Sequence, residues 1–192
     1  MIEAEIKYVV RASVNLKQNL DHFARPSILT YDDAYFDHSR LNLTASDAEL
    51  RVRLITDEAD NTKTILTYKG GIVDEQTKSK TEFEVGIDAP AEDMRALLSA
   101  MGFYQFVRFV KYCQRYEFTF AGRHIAATIV NVDEIQRTYL EVESLLRDAA
   151  ALPDGLTILQ NLASHLGLSD ADRTTEAYSE MVLAARSDEH KP

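Results

Sequence analysis

Ile2-Glu3-Ala4-Glu5-Ile6-Lys7-Tyr8, near the start of the chain, alternates strictly between apolar and charged residues, and Val9 extends the run. A strand places successive side chains on opposite faces, so Ile2, Ala4, Ile6 and Tyr8 share one face and Glu3, Glu5 and Lys7 the other. Taken alone, this is a half-buried strand with a solvated polar face. The pattern recurs, however, along the chain. Leu50, Val52 and Leu54 oppose Arg51 and Arg53; Leu66 and Tyr68 oppose Thr67 and Lys69; Phe83 and Val85 oppose Lys80, Glu82 and Glu84; Leu140 and Val142 oppose Glu141 and Glu143. Phe109 to Phe120 adds Lys111 and Arg115 on one side, opposite Val110, Tyr112, Tyr116 and Phe118.

The polar faces therefore hold acids in pairs and bases in pairs or nearly so. Same-face neighbours two apart on a strand lie about 6 to 7 Å from each other. Like charges at that distance repel by roughly 0.6 kcal/mol in water and about 2.5 kcal/mol at an effective dielectric of 20. Open solvent tolerates such pairs. A curled sheet gathers them into one confined space, which is stable only if acids and bases interleave across it or ligands supply the missing partners.

Further period-two alternation marks Thr30 to Phe36, His124 to Val132 and Thr138 to Ser144, about eight strands altogether. Asp57, Asp60 and Asn61 form a hairpin turn, while Gly70 and Gly71 are expected to open a longer loop that runs to about Ser79. Helical spacing covers Val14 to Phe23 behind a Ser13 cap, and Pro90 to Met101, which Gly102 stops. A third helix is expected from about Leu156 to Leu166, and a fourth following the Ser169-x-x-Asp172 start signal through Tyr178 to Ala185. Hairpin-linked strands with a few helices give an α+β fold, and so many strands in 192 residues indicate a barrel or strongly curled antiparallel sheet. No linker divides the chain. Residues 1–186 are expected to form one domain, and Ser187 to Pro192 a polar, frayed tail.

Composition narrows the function. Hydrophobic residues at 45% and charged residues at 27% exclude a disordered chain, and no apolar run is long enough for a membrane helix. A net charge of -10 argues against tracking a nucleic-acid backbone, so any anion site must be concentrated. The lone Cys113 and the lack of a leader-like N-terminus point to the cytoplasm. Paired carboxylates suit a hard divalent cation such as Mg²⁺ or Mn²⁺, and clustered Arg and Lys suit a polyanion. Both together describe a metal-triphosphate site.

Seven motifs in order, Glu3-x-Glu5-x-Lys7, Tyr35-Phe36-Asp37, Leu50-Arg51-Val52-Arg53, Leu66-Thr67-Tyr68-Lys69-Gly70, Lys80-x-Glu82-x-Glu84, Tyr139-Leu140-Glu141-Val142-Glu143 and Tyr178-Ser179-Glu180-Met181, resemble the CYTH, or triphosphate tunnel metalloenzyme, superfamily. The Leu-Thr-Tyr-Lys-Gly stretch, the length and the Tyr-Ser-Glu-Met ending look most like its class IV adenylyl cyclase branch. The resemblance implies an eight-stranded antiparallel β-tunnel with helices packed outside. It also implies Glu3, Glu5, Glu141 and Glu143 as ligands of Mg²⁺ or Mn²⁺, with Glu82 and Glu84 supporting. Lys7, Arg51, Arg53, Lys69, Lys80, Lys111 and Arg115 become the phosphate contacts, and Glu5, Lys7 and Arg53 the catalytic candidates. Two departures stand out: Lys80 occupies a position where the family commonly has Arg, and the usual Lys-x-Arg reads Lys111-Tyr112-Cys113, with Arg115 two residues on and on the same face.

The implied activity is conversion of ATP to 3′,5′-cyclic AMP and pyrophosphate. The alternatives are a tripolyphosphatase or thiamine triphosphatase-type hydrolase, and a triphosphate-binding protein without catalysis. The expected partner is a nucleoside triphosphate or another small triphosphate, with no nucleic acid and no membrane; a homodimer is left open. Glu5→Gln and Arg53→Ala are expected to abolish turnover with thermal unfolding nearly unchanged. His22, His38, His124, His165 and His190 lack metal-ligand spacing, and a buried or lumen-facing place in a strand accounts for Cys113 as well as a nucleophilic role would.

Overall fold

The computed structural model describes residues 2–11, 15–74 and 79–189. In chain order the elements are β1 (Ile2–Val10), α1 (Leu16–Asp21), β2 (Ser27–Asp37), β3 (Glu49–Asp57), β4 (Thr62–Asp74), β5 (Ser79–Ile87) and α2 (Ala91–Ala100), followed by β6 (Tyr104–Phe120), β7 (Arg123–Val132), β8 (Ile135–Leu146), α3 (Leu152–His165), β9 (Arg173–Thr174) and α4 (Tyr178–Glu189). The strands run β5-β4-β3-β2-β6-β7-β8-β1, all antiparallel, and β1 returns to β5 through Ile2 and Thr81. This closes an eight-stranded barrel and leaves it no long free edge. The two-residue β9 pairs with β1 at Lys7 and Tyr8.

Closure decides which face looks inward. Ala4, Ile6 and Tyr8 of β1 are buried under α1 and α3, against Leu20, Leu159, Leu162 and Leu166. Ala34, Phe36, Leu50 and Val52 lie under α2, against Ala91 and Leu98. On β1 to β3 the apolar faces thus point out into helix-covered layers, whereas Tyr68, Phe83 and Val85 of β4 and β5 are exposed; the alternating polar faces line the lumen. A third apolar group, Tyr31, Tyr35, Phe109, Val130, Val132 and Tyr139, packs against Tyr178 and Val182 of α4. This cluster places α4 beside the charged part of the lumen. Arg186 anchors the helix through a hydrogen bond to the Arg108 carbonyl (2.9 Å) and an ion pair with Glu134.

Local chemistry accounts for the hairpins. Asp57 Oδ1 accepts the backbone N–H groups of Ala59 and Asn61, each at 2.9 Å, and Asp60 takes φ 58°, which closes the β3–β4 turn. Gly70 and Gly71 do not open a loop as expected. They lie within β4, where the register with β5 shifts between Gly70 and Ile72 and again between Ile72 and Asp74. A bulge wants glycine for the same reasons a turn does, and a Cβ at Gly70 would come within 2.6 Å of the Tyr68 hydroxyl. Residues 75–78 of the expected loop lie outside the described residues, as do Ser13, Val14 and residues 190–192.

Two helix expectations need correcting. Ser169 and Asp172 do form a reciprocal capping box, but it closes only the turn Asp170–Asp172; β9 comes next, and the helix starts at Tyr178. That helix continues through Ser187 to Glu189, so the first half of the polar tail is helical. No helix among the described residues is long and apolar enough to cross a membrane.

Candidate active site

Register builds the cationic part of the site. Asp33 of β2 faces Arg53 of β3 on one side and Phe109 of β6 on the other, while Tyr31 faces Lys111 and Tyr35 faces Arg51. The Asp33 side chain is fully buried. Arg53 Nε and Nη2 donate to its two oxygens at 2.6 and 2.7 Å, in a bidentate fork. Arg51 Nη1 and Lys111 Nζ lie 3.8 and 3.9 Å from Asp33 Oδ2. Burial works against ionisation of Asp33, but the cations outweigh it and hold the carboxyl well below the usual range. One carboxylate thus serves three cations. Arg51 donates from Nη2 to Thr67 Oγ1 at 3.3 Å, yet its buried Nε has no hydrogen-bond partner. An excess of donors over acceptors is what an anion site requires.

The acids gather on β1 and β8, where Glu5 faces Glu143 and Lys7 faces Glu141. Lys69 reaches from β4 to ion-pair with Glu3, and its Nζ is 3.7 Å from Glu5 and 3.5 Å from Glu82. Arg115 donates to Glu143 at 2.9 Å, Lys80 to Glu49 at 2.7 Å, and Lys111 lies 3.9 Å from Glu141. Burial, aggravated by the neighbouring carboxylates, pushes Glu3 and Glu5 up to about 7 despite Lys69. Burial and Glu5 also raise Glu143, whereas at Glu141 the effect of burial is outweighed by Lys111 and Lys7, and the carboxyl is lowered. Crowded, desolvated carboxylates with hard oxygen donors fit a divalent cation, which would relieve their mutual repulsion. Among the described residues, no group of three acidic, His or Cys side chains is yet arranged to hold one.

Tyr178 completes the site from α4. Lys7 Nζ and Lys111 Nζ lie 4.5 and 4.0 Å from its ring centroid, and Lys7 also donates to the Glu176 carbonyl. Desolvation lowers the Lys7 ammonium below its ordinary range, against the pull of Glu141 and Glu5. These groups line a cavity of about 980 Å³.

All the charged residues singled out by their alternation line this cavity, although not equally. Glu84 is exposed at the rim, where Thr67 Oγ1 donates to it at 3.5 Å. Arg115 faces the lumen as its parity requires, but it shares its guanidinium with Glu117 at 3.1 Å. Cys113, between Lys111 and Arg115, is 2% exposed and its thiol is pushed up to about 12 by burial, which leaves it inert. Sequence reasoning missed Asp33 and Glu49. Asp33 was legible in principle, since Tyr31, Asp33 and Tyr35 share a face, but its importance appears only once Arg53 is known to stand opposite.

A family model described as the CYTH domain matches residues 1–178. No curated protein matches the sequence. Among solved structures, the PH1819 protein from Pyrococcus horikoshii OT3 aligns with a TM-score of 0.83 at 23% identity, over 95% of this chain and 98% of that one. A candidate adenylate cyclase from Vibrio parahaemolyticus aligns at 0.75 and 21% identity, over 95% and 98% of the two chains. HpAC1 from Hippeastrum, a candidate adenylyl cyclase with a dominant triphosphatase activity, aligns at 0.65 and 17%, over 100% and 97%. These likenesses are of fold. The family match spans all eight strands of the barrel and every charged residue of the lumen described above, and the chain therefore belongs to the CYTH family.

Proposed function

We propose that the protein is a divalent-metal-dependent enzyme acting on a triphosphate inside the barrel, and specifically that it converts ATP to 3′,5′-cyclic AMP and pyrophosphate. The observation that carries this reading is the convergence of Arg51, Arg53 and Lys111 on the single buried carboxylate of Asp33, with an Arg51 donor unpartnered. Cations held this way are aimed before the ligand arrives, so little reorganisation accompanies binding.

In the cyclisation, the ribose 3′-oxygen attacks the α-phosphorus. The bond from that phosphorus to the bridging oxygen breaks, pyrophosphate leaves and the hydroxyl proton passes to water. Arg51, Arg53 and Lys111 hold the phosphates in line and stabilise the charge that grows on the leaving pyrophosphate. Lys7, Lys69, Lys80 and Arg115 extend the cationic lining, and Tyr178 fixes the Lys7 and Lys111 ammoniums from one side. Glu3, Glu5, Glu141 and Glu143 are the residues that would hold Mg²⁺ or Mn²⁺, with Glu82 beside them. When bound, such an ion supplies Lewis-acid activation of the 3′-hydroxyl and the α-phosphate.

The triphosphatase activity of the Hippeastrum neighbour favours a second reading, in which water attacks the terminal phosphorus and orthophosphate leaves. Purified protein incubated with ATP, tripolyphosphate and thiamine triphosphate, under Mg²⁺ and Mn²⁺ in turn, separates the two. Cyclic nucleotide with pyrophosphate is the expected result; orthophosphate would establish the hydrolase instead, and no turnover of any of the three would overturn both.

A further inference from the structure

Lys69 stands apart from the other lumen cations. Arg51 and Arg53 share Asp33, which lies outside the set read as metal ligands, and Lys111 and Arg115 each reach one carboxylate of that set, Glu141 at 3.9 Å and Glu143 at 2.9 Å, whereas Lys69 sits among three carboxylates. Its side chain is 14% exposed, and those of Glu3 and Glu82 are 8% and 12%. It also crosses the closing seam of the barrel: among the described residues β1 and β5 pair at Ile2 and Thr81 alone, and Lys69 of β4 spans that seam to reach Glu3 and Glu5 on β1. A single ammonium held between Glu3 and Glu5 leaves that pair with a surplus of negative charge, so the pair attracts a divalent cation. That cation needs the same oxygens the ammonium holds, and the two cannot share them at coordination distance.

We propose that Lys69 is an internal counter-ion that competes with the divalent metal for Glu3, Glu5 and Glu82, and is released to the phosphates only when a triphosphate enters. The inference rests on reading Glu3 and Glu5 as part of the metal site, with Glu82 beside them. Its consequence is linkage. A triphosphate that takes up the Lys69 ammonium frees carboxylate oxygens, so the metal and the triphosphate each bind more tightly in the presence of the other, by the same factor.

The test is Mn²⁺ binding to the full chain without any triphosphate, measured by electron paramagnetic resonance. Lys69→Met, which keeps chain volume but not charge, should bind Mn²⁺ about tenfold or more tightly than wild type, because a competing charge has gone. Lys69→Gln keeps a donor for the carboxylates and should shift in the same direction; it serves as the uncharged variant if Lys69→Met does not fold. Lys69→Arg, which keeps the competitor, should stay within about threefold of wild type. Unchanged or weaker Mn²⁺ binding in the uncharged variants, with wild type binding measurably, overturns the counter-ion role and leaves the metal reading standing. Equal tightening in Lys69→Arg overturns it as well. Absence of Mn²⁺ binding in every form overturns the counter-ion role and the metal reading together.

Discussion

Arg53→Ala is the substitution for which the structure changes the expectation most. On alternation alone Arg53 is a ligand-binding side chain whose loss leaves stability nearly untouched. The structure instead makes it the bidentate partner of Asp33, which has no solvent exposure. Removing one member of a buried ion pair destabilises by roughly 3–5 kcal/mol, because the other charge stays buried. Arg51 and Lys111 remain at 3.8 and 3.9 Å from Asp33 Oδ2 and retain part of that attraction. The expected loss is therefore about 2–3 kcal/mol, which for a chain of this size lowers the midpoint of thermal unfolding by roughly 4–12 °C. Calorimetry of wild type, Arg53→Ala, Asp33→Asn and the double variant measures it. The double variant should recover at least about 1 kcal/mol relative to the sum of the single changes, as contacting groups do. An Arg53→Ala midpoint within about 1 °C of wild type, or strictly additive single changes, would refute the reasoning. Turnover should be lost in Arg53→Ala in any case.

Two further outcomes are expected from the site. Glu3 and Glu5 carry carboxyls near 7 in the fold against 4.5 ordinarily, so folding takes up protons between those values. Their contribution to stability is present below the unfolded value and is lost as pH rises through about 7; metal-free protein should lose stability between about pH 4.5 and pH 7, and the Glu3→Gln, Glu5→Gln double variant should flatten that slope in denaturant titrations. Tyr178→Phe keeps the ring that faces Lys7 and Lys111 and removes a buried hydroxyl with no hydrogen-bond partner, so its stability should stay within about 1 kcal/mol of wild type. Tyr178→Ala gives up two cation–π contacts worth roughly 0.5–2 kcal/mol each and should unfold at a clearly lower temperature; equal midpoints for the two variants would contradict this role.

How far the sequence could be read depended on whether a signal was local. Period-two alternation is a property of one strand, and it correctly assigned Glu3, Arg51, Lys69, Lys111 and Glu143 to one class of face. Which way that class points depends on closure, and there the like-charged pairs were informative, since they make sense only opposite partners of the other sign. Asp33 and Glu49 were missed because their partners, Arg53 and Lys80, lie on other strands: register sets Asp33 opposite Arg53, and Lys80 reaches Glu49 across β4. Gly70-Gly71 was misread because glycine marks turns and bulges alike, and the choice is made by the pairing with β5. The Ser169 capping box was read correctly as a start, but a capped first turn does not determine how far a helix extends: the chain from Arg173 is taken up by β1 as β9, and the helix waits until Tyr178.

The most direct test of the central claim, that the strands' charged faces form one triphosphate site within the barrel, is a crystal structure with Mn²⁺ and an imido-bridged tripolyphosphate that resists cleavage. The account predicts phosphate oxygens within hydrogen-bond distance of Arg51 and Arg53, and an anomalous manganese peak beside the carboxylates of Glu3, Glu5 and Glu143. A triphosphate bound on the outer surface, with no phosphate or manganese in the lumen, would contradict the claim.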